Sequence, residues 1–266
     1  MKDLTTWFGL KRQPFEKDIK PKDLFAAEAL RECAARLDHI KRTGGIMLLT
    51  GDPGVGKTVA LRRFCDSLND NLYRTLYTPL ATLSCIDILR HINQLLGLPQ
   101  RNAKSVLFAQ IQRELLESRE QRGKTIVLVI DEAQLLKIGP LQELRLLTNF
   151  KMDSVEPFIL ILAGQSDLDR VMDYAILEPF AQRLRLRYHM APLTQAETSS
   201  YVEHHLKLCG ATEPIFAKDA LTTLHEVSYA IPRRIGSIAI QAMFHAMFSD
   251  KRTVDANAVL TVKAAA

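Results

Sequence analysis

The stretch that decides the fold is GDPGVGKT, residues 51–58. It satisfies G-x-x-x-x-G-K-[ST] in full, and each fixed position has a chemical reason. Gly51, Gly54 and Gly56 let the backbone wrap closely round a polyphosphate and aim N–H groups at it. The helix that opens here adds the positive end of its dipole. Lys57 reaches the β- and γ-phosphates, and the Thr58 hydroxyl ligates magnesium. The residues Gly51, Asp52, Pro53, Gly54, Val55, Gly56, Lys57, Thr58 and Val59 are therefore expected to hold ATP with Mg2+. The setting agrees: the apolar run IMLLT (46–50) precedes the loop and the helical pattern KTVALRRFCDSL (57–68) follows it.

Farther along, TIVLVIDEAQ (125–134) is a buried-strand pattern that ends in two carboxylates. Beside such a loop, Asp131 is the expected magnesium ligand, directly or through water. Glu132 lies one residue farther out, suited to polarise the attacking water as general base or by orientation. The next apolar run, FILILAGQSDL (158–168), ends in amides and hydroxyls. Gln165 at its tip is a candidate to hydrogen-bond the γ-phosphate or the water, and Ser166 with Asp169 reads equally well as a helix cap.

Between these runs the apolar period changes to that of helices, and strands alternating with helices predict a parallel sheet covered by helices. Helices are expected over 26–41, 85–97, 104–122, 139–150 and 167–175, and a last strand over 184–189. After Pro192 the pattern is helical throughout, at 194–209, 217–228, 232–249 and 255–263. The expected organisation is an irregular amino-terminal arm (1–25), an α/β nucleotide-binding domain (26–192) and a small all-helical domain (193–266). With 266 residues, 47% of them hydrophobic and 24% charged, the chain has ample material for a core. Its formal charge of +5 is compatible with a polyanionic partner without requiring one. The four cysteines are widely spaced with no C-x-x-C, which argues against a zinc site or a disulfide framework and for small buried hydrophobes. The longest apolar runs fall far short of a bilayer span, and the polar start lacks a signal-peptide core, so a cytoplasmic location is expected.

A further stretch, FAQRLRLRYHMAPL (180–193), sets Arg183, Arg185 and Arg187 in alternation with Leu184, Leu186 and Tyr188. Hydrolases with a phosphate loop often neutralise transition-state charge with an arginine supplied from a neighbouring subunit. Arg183, at the end of a helical segment just before the strand, is placed for that; Arg185 and Arg187 read as solvated or paired with acidic neighbours. A finger that cannot reach its own nucleotide requires an oligomer. In AIPRRIGSIA (230–239), Pro232 opens a helix and Arg233 beside it is a candidate to fold onto the γ-phosphate, with Arg234 competing for the role. The adjacent His204 and His205 read as one core-facing and one exposed residue. Trp7 and Phe8 are expected to pin the arm to the body or to a neighbour.

With these motifs in this order the chain resembles the AAA+ ATPases, whose fold is an αβα sandwich with a parallel sheet followed by a helical lid. More closely it is similar to the ExeA/TnsC-type group. The likeness runs over nearly the whole length, through WFGLKRQPFEKDIKPKDLF, DEAQLL, LAGQSDLDRV, QRLRLRYHMAPLTQAE and AIPRRIGSIA. One branch of that group serves type II secretion and carries, after the lid, a transmembrane segment and a cell-wall-binding part. The other consists of free-standing ATPases of transposons and insertion elements, similar to TnsC, IstB and MuB. These assemble on double-stranded DNA with ATP, mark the target and recruit or stimulate a DDE transposase. Because the sequence ends at the lid, the second branch is the expected one. It implies a homo-oligomeric ring or filament on double-stranded DNA, with Thr82, Arg101, Asn102 and Lys104 at the positions that meet DNA phosphates. The alternatives are a secretion-assembly ATPase and a switch resembling helicase loaders.

Overall fold

Short apolar runs that lack period-two alternation suit strands covered on both sides, and three of them form the middle of the sheet. The computed structural model describes residues 3–16, 19–20, 23–79, 82–152 and 154–264. Its elements, in chain order, begin α1 (Leu4–Phe8), α2 (Glu28–Thr43), β1 (Gly45–Gly51), α3 (Lys57–Asp66), β2 (Tyr73–Thr78), α4 (Cys85–Leu95) and α5 (Lys104–Glu120). They continue with β3 (Thr125–Ile130), α6 (Ile138–Leu147), β4 (Phe158–Ala163), α7 (Asp167–Met172), α8 (Glu178–Ala181) and β5 (Leu184–Met190). The last four are α9 (Gln195–Leu208), α10 (Lys218–Val227), α11 (Pro232–Phe248) and α12 (Ala256–Ala264). The chain divides into two compact units: Met1–Arg31 with Asp52–Gly56 and Ala191–Ala266, and Glu32–Gly51 with Lys57–Met190.

The second of these is the expected α/β sandwich. Its five strands run in the order β2-β3-β4-β1-β5, and all four pairings are parallel. β1, β3 and β4 are buried along their whole length. On one face Ile46, Leu48, Leu128 and Leu160 join the apolar stripes of α4, α5 and α6, with Ile92, Ile111 and Leu144 almost inaccessible. Alternate residues such as Met47 and Val127, equally buried, point to the opposite face. Each such side chain contributes about 1.5–3 kcal/mol on burial. β5 is an edge strand, and there alternation returns: Leu184, Leu186 and Tyr188 are half-buried, while Arg185, Arg187 and His189 are exposed. The order places the carboxyl ends of β3, β4 and β1 side by side, where the loops that carry chemistry begin.

The other unit holds the four expected carboxy-terminal helices. α9 opens with a full capping box, in which the Thr194 hydroxyl accepts from Glu197 N–H and the Glu197 carboxylate accepts from Thr194 N–H. The same carboxylate accepts from Glu28 N–H at 2.7 Å. An isolated bridge between Phe216 and Val254 joins the chain before α10 to the chain before α12, where the sequence shows no strand. The amino-terminal residues are less irregular than their composition suggests, because Asp3 caps α1 and Gly9 closes it in the left-handed region at φ 67°. The Trp7 indole N–H donates to the Lys251 carbonyl at 3.0 Å, and Arg252 lies over the ring. Phe15 stacks on His205, which also meets Tyr201 at 4.3 Å. His205 is buried, and His204 is half-buried rather than exposed, bonded through Nε2 to the Asp23 carbonyl. These contacts are why residues up to Arg31, and not just those after Pro192, group with the helices. No described helix is long and apolar enough to cross a membrane.

Candidate active site

The loop after β1 needs backbone that ordinary residues resist. Gly54 has φ 91°, and a Cβ there would lie 2.7 Å from the Arg233 Cβ and 3.2 Å from Ile231 Cγ2. The Arg233 N–H donates to the Gly54 carbonyl at 3.3 Å. Arg233 is therefore the arginine set against the loop; Arg234 turns away and lies over the Tyr229 ring at 5.3 Å. Within the sheet unit, Lys57 is buried at the start of α3, and its ammonium donates to the Gly51 carbonyl at 2.7 Å.

The expected metal-binding carboxylate sits at the end of β3, the neighbour of β4. Asp131, only 3% exposed, accepts on Oδ2 from the Thr58 hydroxyl at 2.9 Å and from the Tyr77 phenol at 3.0 Å. Its Oδ1 accepts from Glu132 N–H at 2.9 Å. Burial, and then the negative charge of Asp131, push the Tyr77 phenol up to about 12, so it remains a donor. A hydroxyl and a carboxylate this close form a hard-oxygen pair of the type that suits Mg2+ with substrate phosphates. The residues present fit both groups: a loop with Gly51, Gly54 and Gly56 at positive φ for the phosphates, and a pair of hard oxygens for the metal.

Glu132 is exposed and held in the left-handed region at φ 54°, ψ 32°. Its carboxylate accepts from the Gln134 side-chain amide at 2.7 Å, and the Gln134 side-chain carbonyl accepts from Gln165 N–H at 3.0 Å. Thus Thr58, Asp131, Glu132 and Gln165 come together, with Tyr77 and Gln134 as two members that sequence reasoning missed. Neither has a spacing that marks it. Tyr77 matters because β2 pairs with β3, and Gln134 because β3 pairs with β4.

Arg183 stands apart. It precedes Leu184, the partner of Ile46 at the start of β1, whereas the loop begins at the far end of that strand. The seven residues of β1 at about 3.3 Å each put the two ends about 20 Å apart. Arg183 donates to the Thr148 hydroxyl at 3.1 Å and borders a cavity of about 310 Å³ shared with Glu156, Gln182 and Arg185. Arg185 pairs with Glu156 at 2.7 Å, and Arg187 with Asp173 at 2.9 Å.

Thr82, Arg101, Asn102 and Lys104 are all exposed. Thr82 precedes α4, and the chain leading to Arg101 folds back along that helix, where the Gln100 side-chain amide donates to the Arg90 carbonyl at 3.3 Å. Lys104 is also paired with the nearly buried Glu143 at 2.5 Å. Leu80 and Ala81, just before Thr82, lie outside the described residues.

Residues 40–172 match a family model described as an AAA domain. The chain is 35% identical over 244 residues to general secretion pathway protein A of Aeromonas hydrophila, covering 91% of this chain and 44% of that protein. It therefore spans less than half the length of that curated relative. Among solved structures it resembles Cdc6p from Pyrobaculum aerophilum, with 18% identity, 94% of this chain, 68% of that one and a TM-score of 0.62. The Aeropyrum pernix ORC1 protein in complex with DNA gives the same identity and coverages with a TM-score of 0.65. The Thermotoga maritima RuvB Holliday junction branch migration motor gives 17% identity, 97% and 73% coverage and a TM-score of 0.53. Likeness at this level of identity concerns the fold.

Proposed function

The chain belongs to the AAA domain family and is an ATPase, and on that premise we propose that it works in the assembly of a secretion system as a homo-oligomer. One observation carries the choice of process: the 35% identity over 91% of the chain with general secretion pathway protein A. The expectation of a transposition role rests on the chain ending after its helices. Where a sequence ends is no ground for that choice, and the identity reverses the order of the two.

In the proposed reaction the backbone N–H groups of the loop 51–58, all but Pro53, which has none, surround the β- and γ-phosphates of ATP. Lys57 leaves the Gly51 carbonyl to meet them. Thr58 and Asp131 would hold Mg2+, which would supply positive charge against the phosphate oxygens. Glu132 accepts a proton from the attacking water, and the Gln165 side chain holds that water or the γ-phosphate. Arg183, about 20 Å from its own loop, acts on the nucleotide of the next copy, and Arg233 beside Gly54 reads the phosphate. Residues 193–266 serve as the lid that carries Arg233.

The test is a transplant. This chain replaces the matching 244 residues of the Aeromonas protein in a strain that depends on it for secretion. Restored export, lost again with Lys57→Ala, is the expected result. A folded, ATP-hydrolysing hybrid that leaves export blocked would refute the proposal. Hydrolysis stimulated by duplex DNA would then point to a DNA-marking role.

A further inference from the structure

Most of the residues that act on phosphate sit on three neighbouring strand ends, yet the side chain that joins two of those ends has no assigned role. We infer that Gln134 is a positioning residue that sets the Glu132 carboxylate against the tip of β4; this rests on Glu132 acting on the attacking water. Its amide is used at both ends. Nε2 donates to Glu132 Oε2 at 2.7 Å, while Oε1 accepts from Gln165 N–H at 3.0 Å. The next link is backbone: Gly164 N–H donates to the Leu49 carbonyl at 2.9 Å. A continuous path therefore runs from Glu132 through the end of β4 to β1, the strand that leads into the phosphate loop.

The path has a built fit. A Cβ on Gly164 would lie 2.7 Å from Gln134 Oε1 and 3.1 Å from Gln134 N, so this glycine leaves the space that the amide occupies. Glu132 needs such a guide. It is exposed, sits at φ 54° on a turn that few residues adopt, and has rotamers that lead into solvent. A carboxylate left to wander there spends little time in line with a bound phosphate. An amide suits the task better than a charged group. It donates to the carboxylate, accepts from the backbone and leaves the site's charge unchanged.

Gln134→Glu separates the two halves of the role. The new carboxylate still accepts from Gln165 N–H but cannot donate to Glu132. Expected is a fall in kcat of about tenfold or more with the Kd for a fluorescent ATP analogue within about twofold and the melting temperature nearly unchanged. In nucleotide-free crystals of this variant the Glu132 carboxylate turns away from β4. Gln134→Ala, which removes the amide and adds no contact, lowers kcat in the same way and guards against a variant that fails to fold. Because Gln134 acts only through Glu132, the change adds nothing in a Glu132→Gln background. The inference is overturned by an unchanged or higher kcat in Gln134→Glu, or by an equal further loss in the double variant. Wild-type hydrolysis in Glu132→Gln alone would instead remove the role of Glu132 itself, and that of Gln134 with it.

Discussion

Replacing Gly54 with alanine should damage the loop by an amount the geometry lets us divide. The residue sits at φ 91°, and a Cβ there meets the Arg233 Cβ at 2.7 Å. An L-residue in that conformation costs about 1–2 kcal/mol, and overpacking against a side chain fixed on a helix costs about 1–3 kcal/mol more. Gly9 gives the control within the same unit. Its φ is 67°, but nothing lies within 4 Å of the place its Cβ would take, so Gly9→Ala bears only the first cost. Thermal melts should therefore fall by a few degrees for Gly9→Ala and by roughly 5–10 °C for Gly54→Ala. ATP affinity, read with a fluorescent analogue, should drop only in the latter. The close approach is between two β-carbons, so Arg233→Ala does not relieve it, whereas Arg233→Gly in the Gly54→Ala background recovers part of the lost stability. Equal losses at Gly54 and Gly9, or relief by Arg233→Ala, would refute the reasoning.

Arg183→Ala should leave ATP affinity intact and lower kcat by about a thousandfold, while Arg185→Ala, which removes only the pair with Glu156, stays within a fewfold. Loss of ATP binding in the first variant would put that arginine at its own nucleotide. Thr58→Val should abolish the gain in nucleotide affinity that Mg2+ confers, by at least about tenfold, in calorimetric titrations run with and without EDTA; a persisting gain would remove Thr58 from the metal. Burial, reinforced by His204 and Arg12, depresses the His205 pKa from 6.5 to about 4. Between those values the unfolded chain binds a proton that the folded one does not, so stability falls as pH drops from 6.5 toward 4. At pH 5 the loss is of the order of 2 kcal/mol. His205→Phe keeps the stack on Phe15 and should flatten that slope in urea melts; an unaltered slope would assign it to other groups.

How much of this could be read in advance depended on how local each cause is. The phosphate loop was legible because a strand, glycines at fixed steps and a lysine opening a helix lie within one short stretch of chain. The three central strands were legible because a run buried on both faces lacks polar positions, and Arg185 and Arg187 marked β5 by alternating with apolar residues. The ends of α1 were also written locally, in Asp3 and Gly9, though the polar composition around them hid the signal. Arg233 and Arg234 could not be told apart in sequence, since both open the same helix and only the chain packed against it separates them.

Sequence alone thus determined the class, an ATPase with a phosphate-loop motif, and the alternation of strands and helices that makes a parallel sheet. Strand order decided the rest. It placed β3 beside β4 and β2 beside β3, which delivered Gln134 to Glu132 and Tyr77 to Asp131. It also set Arg183 at the amino end of β5, the length of a strand from its own loop. Spacing along a chain carries the causes that act within a turn or a strand. Which side chains meet across strands is settled only when the strands choose their neighbours.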